Sequence, residues 1–96
     1  MNTPEPIHPG EHLAEFIEEL GISQYRLAKT IGVPPIRINA IIKRRRSITA
    51  DTALRIGRAL GTSPDYWLNL QRMYDIDVAR STTDVSDIEP LVGAAA

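Results

Sequence analysis

Apolar positions along the chain recur with helical spacing in separate blocks, each closed by a glycine or opened by a hydroxyl or proline. In the first block, Leu13, Phe16, Ile17 and Leu20 fall at i, i+3, i+4 and i+7, while Glu11, Glu15, Glu18 and Glu19 occupy the opposite side. This predicts a helix opening at Gly10 or Glu11 and stopping at Gly21. A second block starts at Ser23, whose hydroxyl suits an N-cap, and buries Leu27, Ala28 and Ile31 before Gly32. Pro34 and Pro35 fit only at the start of a third helix, whose buried face is Ile38, Ile41 and Ile42. Thr49 caps a fourth helix lined inside by Ala53, Leu54, Gly57 and Leu60, and Gly61 ends it. Ser63-Pro64-Asp65 opens a fifth, with Tyr66, Trp67, Leu68, Leu70, Met73 and Tyr74. The expected fold is therefore all-α, five helices with a helix–turn–helix formed by the second and third. The boundaries are an N-terminal arm over 1–9, the domain over 10–79 and a mobile tail over 80–96.

The second and third helices are separated only by Gly32 and Val33, so the third must leave at a steep angle. Its outward face carries Arg37, Asn39, Ala40 and Lys43, and it runs out into Arg44, Arg45 and Arg46. Charge changes how this pair is read. The chain holds 11 Lys/Arg and 12 Asp/Glu, a net charge of −1, yet from Leu20 to Ala50 there are seven basic residues and no acid. A cationic field beside an acidic body is what phosphate attracts, because binding depends on where cations cluster and not on their sum. A solvated basic face is the alternative, and the helix–turn–helix spacing favours DNA.

Laid in a major groove, the third helix would bring Pro35, Ile36, Arg37 and Ala40 to base edges. Arg37 alone has the fork geometry for guanine, while Ile36 and Ala40 suit thymine methyls. Gln24, at the start of the preceding helix, is placed to donate to a phosphate. Asn39, Lys43, Arg44 and Arg45 would flank the groove as further phosphate contacts. Tyr25 is equally well read as packing. The fifth helix is too apolar for one face: Trp67, Leu70 and Tyr74 share a stripe, which points to a dimer interface, or else to packing inside the domain. Val85, Ile88, Leu91 and Val92 in the tail suit a short strand or an anchor on a partner.

Composition narrows the remaining classes. A hydrophobic fraction of 43% with 24% charged residues is that of an ordinary soluble domain. There is no cysteine, hence no disulfide or thiolate chemistry. No apolar run spans a bilayer and the first residues form no signal pattern, so a cytoplasmic protein without membrane contact is expected. His8-Pro9-Gly10-Glu11-His12 matches H-x-x-E-H, but Pro9 and Gly10 break the regular helix that a zinc-binding pair needs. No metal, cofactor or catalytic residue is therefore assigned, and an enzyme is not expected.

The stretch SQYRLAKTIGVPP resembles the phage-repressor-like helix–turn–helix superfamily, the Cro/CI or XRE class. HPGE at 8–11, GVPPIRIN at 32–39, ITADTALRIGRALGTSPDYWLNLQ at 48–71 and YDID at 74–77 together resemble the HigA, or VapI-like, antitoxins over residues 7–77. That resemblance implies a homodimer, often built through the last helix, which binds a palindromic double-stranded operator and represses its own operon. It also implies a small HigB-like, mRNA-cleaving toxin of the RelE superfamily as partner; no motif marks the toxin contacts. Where the superfamily often has polar residues, this chain has Pro35, Ile36 and Ala40, which leaves more of the readout to Arg37 and DNA shape. A stand-alone regulator and a toxin-binding module with weak DNA affinity are the alternatives.

Overall fold

The computed structural model describes residues 5–93 and contains α1 (Pro9–Leu20), α2 (Gln24–Ile31), α3 (Pro35–Ile42), α4 (Ala50–Leu60) and α5 (Pro64–Thr82). Local chemistry sets the starts. Ser23 Oγ accepts from Arg26 N at 3.0 Å, Thr49 Oγ1 from Thr52 N at 3.3 Å, and Ser63 Oγ from Tyr66 N at 3.1 Å. Each occupies one of the backbone donors that a helix N-terminus leaves without a partner. The turn between α2 and α3 passes through Gly32 at φ +75°, a left-handed conformation that glycine adopts without steric cost.

Every helix contributes to a single core. Leu13 and Ile17 of α1 meet Leu27, Ala28 and Ile31 of α2, Ile38 and Ile41 of α3, Ala53 and Ile56 of α4, and Trp67 of α5. Val33 in the turn and Ile48 in the α3–α4 link are buried with them. Ile42 is half-buried at the margin of this cluster. Leu54, expected inside, is 61% exposed. The buried face of α4 is Thr52, Ala53, Ile56 and Gly57, rotated so that Ile56 enters the core and Leu54 leaves it.

The N-terminal boundary also shifts. His8 and Pro9 are buried parts of α1 and do not belong to an arm: His8 is the N-cap, with Nδ1 accepting from Gly10 N at 2.9 Å, and Pro9 is the first helical residue. Gly10 is where α1 crosses the end of α3, and a Cβ there would lie 2.0 Å from the Ile41 carbonyl oxygen. The HPGE sequence is therefore a cap, a helix start and a crossing point. At the other end, α5 continues through Thr82, so the residues 80–82 assigned to the tail are helical. Residues 83–93 form no helix and are exposed, with a turn closed by Ile88 N donating to Val85 O at 3.0 Å. The expected arm at residues 1–4 and the tail end at 94–96 lie outside the described residues.

Candidate nucleic-acid interface

The α2–α3 pair presents one surface on which most of the expected residues meet. Pro35, Ile36, Asn39 and Lys43 are exposed along α3, and Ile36 keeps 77% of its surface open, which is unusual for an isoleucine beside a core. Arg37 and Ala40 are half-buried on the flank of that face. The Arg37 Nε is enclosed and has no hydrogen-bond partner, the one such side-chain atom among the described residues. A charged donor left this way costs stability unless an acceptor arrives. Gln24 at the start of α2 faces the same side. Asn39 Nδ2 donates to Gln24 Oε1 at 3.2 Å, which fixes the Gln24 amide and leaves its Nε2 protons free.

The exit from α3 is a second cationic element. Lys43 caps the helix, Arg44 N donates to Ile41 O at 3.0 Å and Arg45 N to Ala40 O at 2.8 Å. This paired closure places Arg44 in the left-handed position usually taken by glycine. Arg44 has φ +64°, the one non-glycine residue with positive φ among those described, at a cost of about 1–2 kcal/mol for an L-residue. Its guanidinium lies 3.8 Å from a Glu11 carboxylate oxygen. The other six cations between Leu20 and Ala50, namely Arg26, Lys29, Arg37, Lys43, Arg45 and Arg46, have no acidic partner among the described residues. The basic field is thus left almost unneutralised by the fold.

Three residues that position this surface are absent from the sequence-based set. Arg55 of α4 donates from Nη1 to the Ile31 carbonyl at 2.8 Å and from Nε to Asp51 at 3.0 Å. It thereby satisfies an end carbonyl of α2 and braces the turn into α3. An acid and a base four residues apart, Asp51 and Arg55, were the signal for it. Gln71 is buried in α5; its Oε1 accepts from Ile48 N at 2.8 Å, and its Nε2 donates to Asp75 at 2.9 Å and to Ser47 at 3.3 Å. The link after α3 is held to α5 in this way. A polar residue on the buried stripe of α5 was the only hint.

His8 is the third. Its ring packs edge-on against Tyr74, with centroids 4.8 Å apart, and its pKa is held below the ordinary 6.5, first by burial and then by the nearby Arg44 charge. Asp75 and Glu11 pull it the other way without reversing the direction. Since Nδ1 is already the α1 cap, the H-x-x-E-H reading loses its first ligand, and no group of three or more metal-binding side chains exists among the described residues.

The dimer stripe needs correction at one position. Trp67 has no exposed surface: it packs against Phe16 and Tyr66, and its Nε1 donates to Thr62 Oγ1 at 2.7 Å. Removing so large a buried ring costs about 3–5 kcal/mol in comparable cores, so Trp67 is committed to its own chain. Leu70 and Tyr74 are half-buried and, with Pro6, Ile7 and Met73, line an apolar groove of about 660 Å³ between the N-terminal segment and α5. No helix among the described residues is long and apolar enough to cross a membrane.

Residues 13–67 match the Helix-turn-helix family model. The chain is 47% identical over 79 residues to virulence-associated protein I of Dichelobacter nodosus, covering 81% of this chain and 73% of that protein. Its fold is similar to an addiction module antidote protein of the HigA family from Coxiella burnetii, at 46% identity and TM-score 0.85, covering 91% and 99% of the two chains. The Pseudomonas aeruginosa antitoxin HigA, solved with the higBA promoter, is similar at 41% identity and TM-score 0.85, again covering 91% and 99%. The two solved structures are thus an antidote protein and an antitoxin, both of the HigA type. At these identities and coverages the chain belongs to the XRE-type helix–turn–helix family, among the HigA-like antitoxins.

Proposed function

We propose that this protein is a sequence-specific DNA-binding antitoxin that represses its own operon and neutralises an mRNA-cleaving toxin of the RelE superfamily. The observation that carries the DNA reading is the basic field left without acids: among the described residues, six of its seven cations have no ionic partner, in the same stretch as the open α3 face. Arg37 and the apolar pair Ile36 and Ala40 read the bases in this account, with Pro35 at the edge of the groove. Gln24, Asn39, Lys43, Arg44 and Arg45 hold phosphates. The antitoxin role is supported by kinship with HigA proteins, one of them solved with promoter DNA.

Two copies meeting through the Leu70, Met73 and Tyr74 groove would present two α3 helices to a palindromic double-stranded operator. Half-sites are then separated by one helical turn, about 34 Å, or a multiple of it. The test is fluorescence anisotropy of the protein with its own upstream DNA and with scrambled DNA of equal length, at two salt concentrations. Preference for the upstream sequence with a steep salt dependence is expected. Equal or negligible binding to both would leave the helix–turn–helix as scaffold and favour an interaction module. Co-purification with a small basic protein encoded beside it separates the antitoxin from a stand-alone regulator.

A further inference from the structure

Arg44 presents a contradiction within the basic stretch. It occupies a backbone position that glycine would fill without strain, at φ +64°, and among the described residues it is also the one cation of Leu20–Ala50 paired with an acid. Backbone strain at a non-glycine residue marks a side chain whose identity matters. Its partner is delivered by packing: Gly10 lies against the Ile41 carbonyl, so the next residue, Glu11, emerges beside the exit of α3. The pair is loose, 3.8 Å apart with side chains 56% and 49% exposed. A guanidinium accepts carboxylate or phosphate with the same fork of donors, and a half-exposed ion pair is weak enough to exchange.

We propose that Glu11 is an intramolecular stand-in for a DNA phosphate, which Arg44 releases when it engages the DNA backbone. Glu11 thus sets the affinity of the surface for nucleic acid without reading sequence. This rests on the DNA-binding reading above. It differs from a purely stabilising role, in which Arg44 is kept for the Glu11 pair and for the favourable placement of a cation at a helix C-terminus.

The test is a double-mutant cycle read by anisotropy on operator and scrambled DNA across a salt series, with urea unfolding measured alongside. Glu11→Gln is expected to tighten binding to both DNAs about twofold to fivefold. Arg44→Gly is expected to weaken both and lower the salt slope by about one phosphate contact, while the urea midpoint holds or rises as strain is relieved. In the Arg44→Gly background, Glu11→Gln should no longer tighten binding. If Glu11→Gln tightens binding equally without Arg44, Glu11 acts by general repulsion and the exchange is refuted. It is also refuted if Arg44→Gly lowers the urea midpoint and leaves DNA affinity unchanged. A wild-type protein that binds neither DNA removes the DNA-binding reading itself, whereas normal binding insensitive to both substitutions removes this inference alone.

Discussion

Asn39 of α3 holds Gln24 of α2 across the turn, with Nδ2 donating to Oε1 at 3.2 Å. The bond joins the two helices at their outer edge and orients an amide whose free protons face outward. A ligand that meets a fixed donor does not bear the entropy of ordering it. Gln24→Glu retains the oxygen that Asn39 grips but turns the outward donor into a carboxylate. It is predicted to weaken binding to operator and scrambled DNA alike. Asn39→Ala, which frees the amide, should cost about 0.5–1.5 kcal/mol in binding, and less than that in a Gln24→Ala background, where only the phosphate contact of Asn39 itself remains to be lost. Additive losses in anisotropy titrations would show that the two residues act separately.

Gly10 carries a prediction about the scaffold. An added methyl would sit 2.0 Å from the Ile41 carbonyl oxygen, a backbone atom that can move only if α3 moves. Gly10→Ala should destabilise the domain by about 1–3 kcal/mol, visible as a lower urea midpoint. Gly93→Ala, with nothing within 4 Å of the new methyl, is the matched control and should leave the midpoint unchanged. A Gly10→Ala protein of wild-type stability would mean that the α1–α3 crossing is not close.

His8 makes stability depend on pH in a definite direction. Its folded pKa lies below the ordinary 6.5, because burial and the Arg44 charge disfavour the imidazolium. The unfolded chain therefore binds the proton more readily. The stability linked to His8 is fully present above the unfolded value, falls as pH drops below about 6.5, and levels off once the folded form is also protonated. Protonation of Nδ1 would also remove the acceptor for Gly10 N. Urea midpoints measured from pH 7.5 down to 5 should decline in the wild type. They should decline less in His8→Asn, which keeps a capping oxygen but does not titrate. Equal slopes would place the titration elsewhere.

Local rules made much of this fold legible. Ser23, Thr49 and Ser63 announce helix starts because a capping hydroxyl acts within three residues, and Gly21, Gly32 and Gly61 announce ends for an equally local reason. Misreadings arose where distant residues decide. Leu54 shares a spacing with Ala53 and Gly57, and only the packing of Ile56 settles which way α4 is rotated. His8 sits in a proline-rich stretch that reads as an arm until Tyr74 and the end of α3 close around it. Trp67 looked surplus to one core, yet Phe16, Tyr66 and Thr62 enclose it. On the α3 surface, Asn39 and Lys43 are exposed as their spacing implied, whereas Arg37 and Ala40, expected on the same face, are half-buried. The braces from Arg55 and Gln71 span 24 and 23 residues to Ile31 and Ile48, beyond the reach of any periodicity.

The central claim is that α3 reads DNA sequence through Arg37, and the most direct measurement compares Arg37→Ala with wild type on operator and scrambled DNA under identical salt. If Arg37 engages a base, specific affinity falls by about 1–3 kcal/mol while affinity for scrambled DNA changes much less. Equal losses on both DNAs would contradict the account and reduce Arg37 to a phosphate contact.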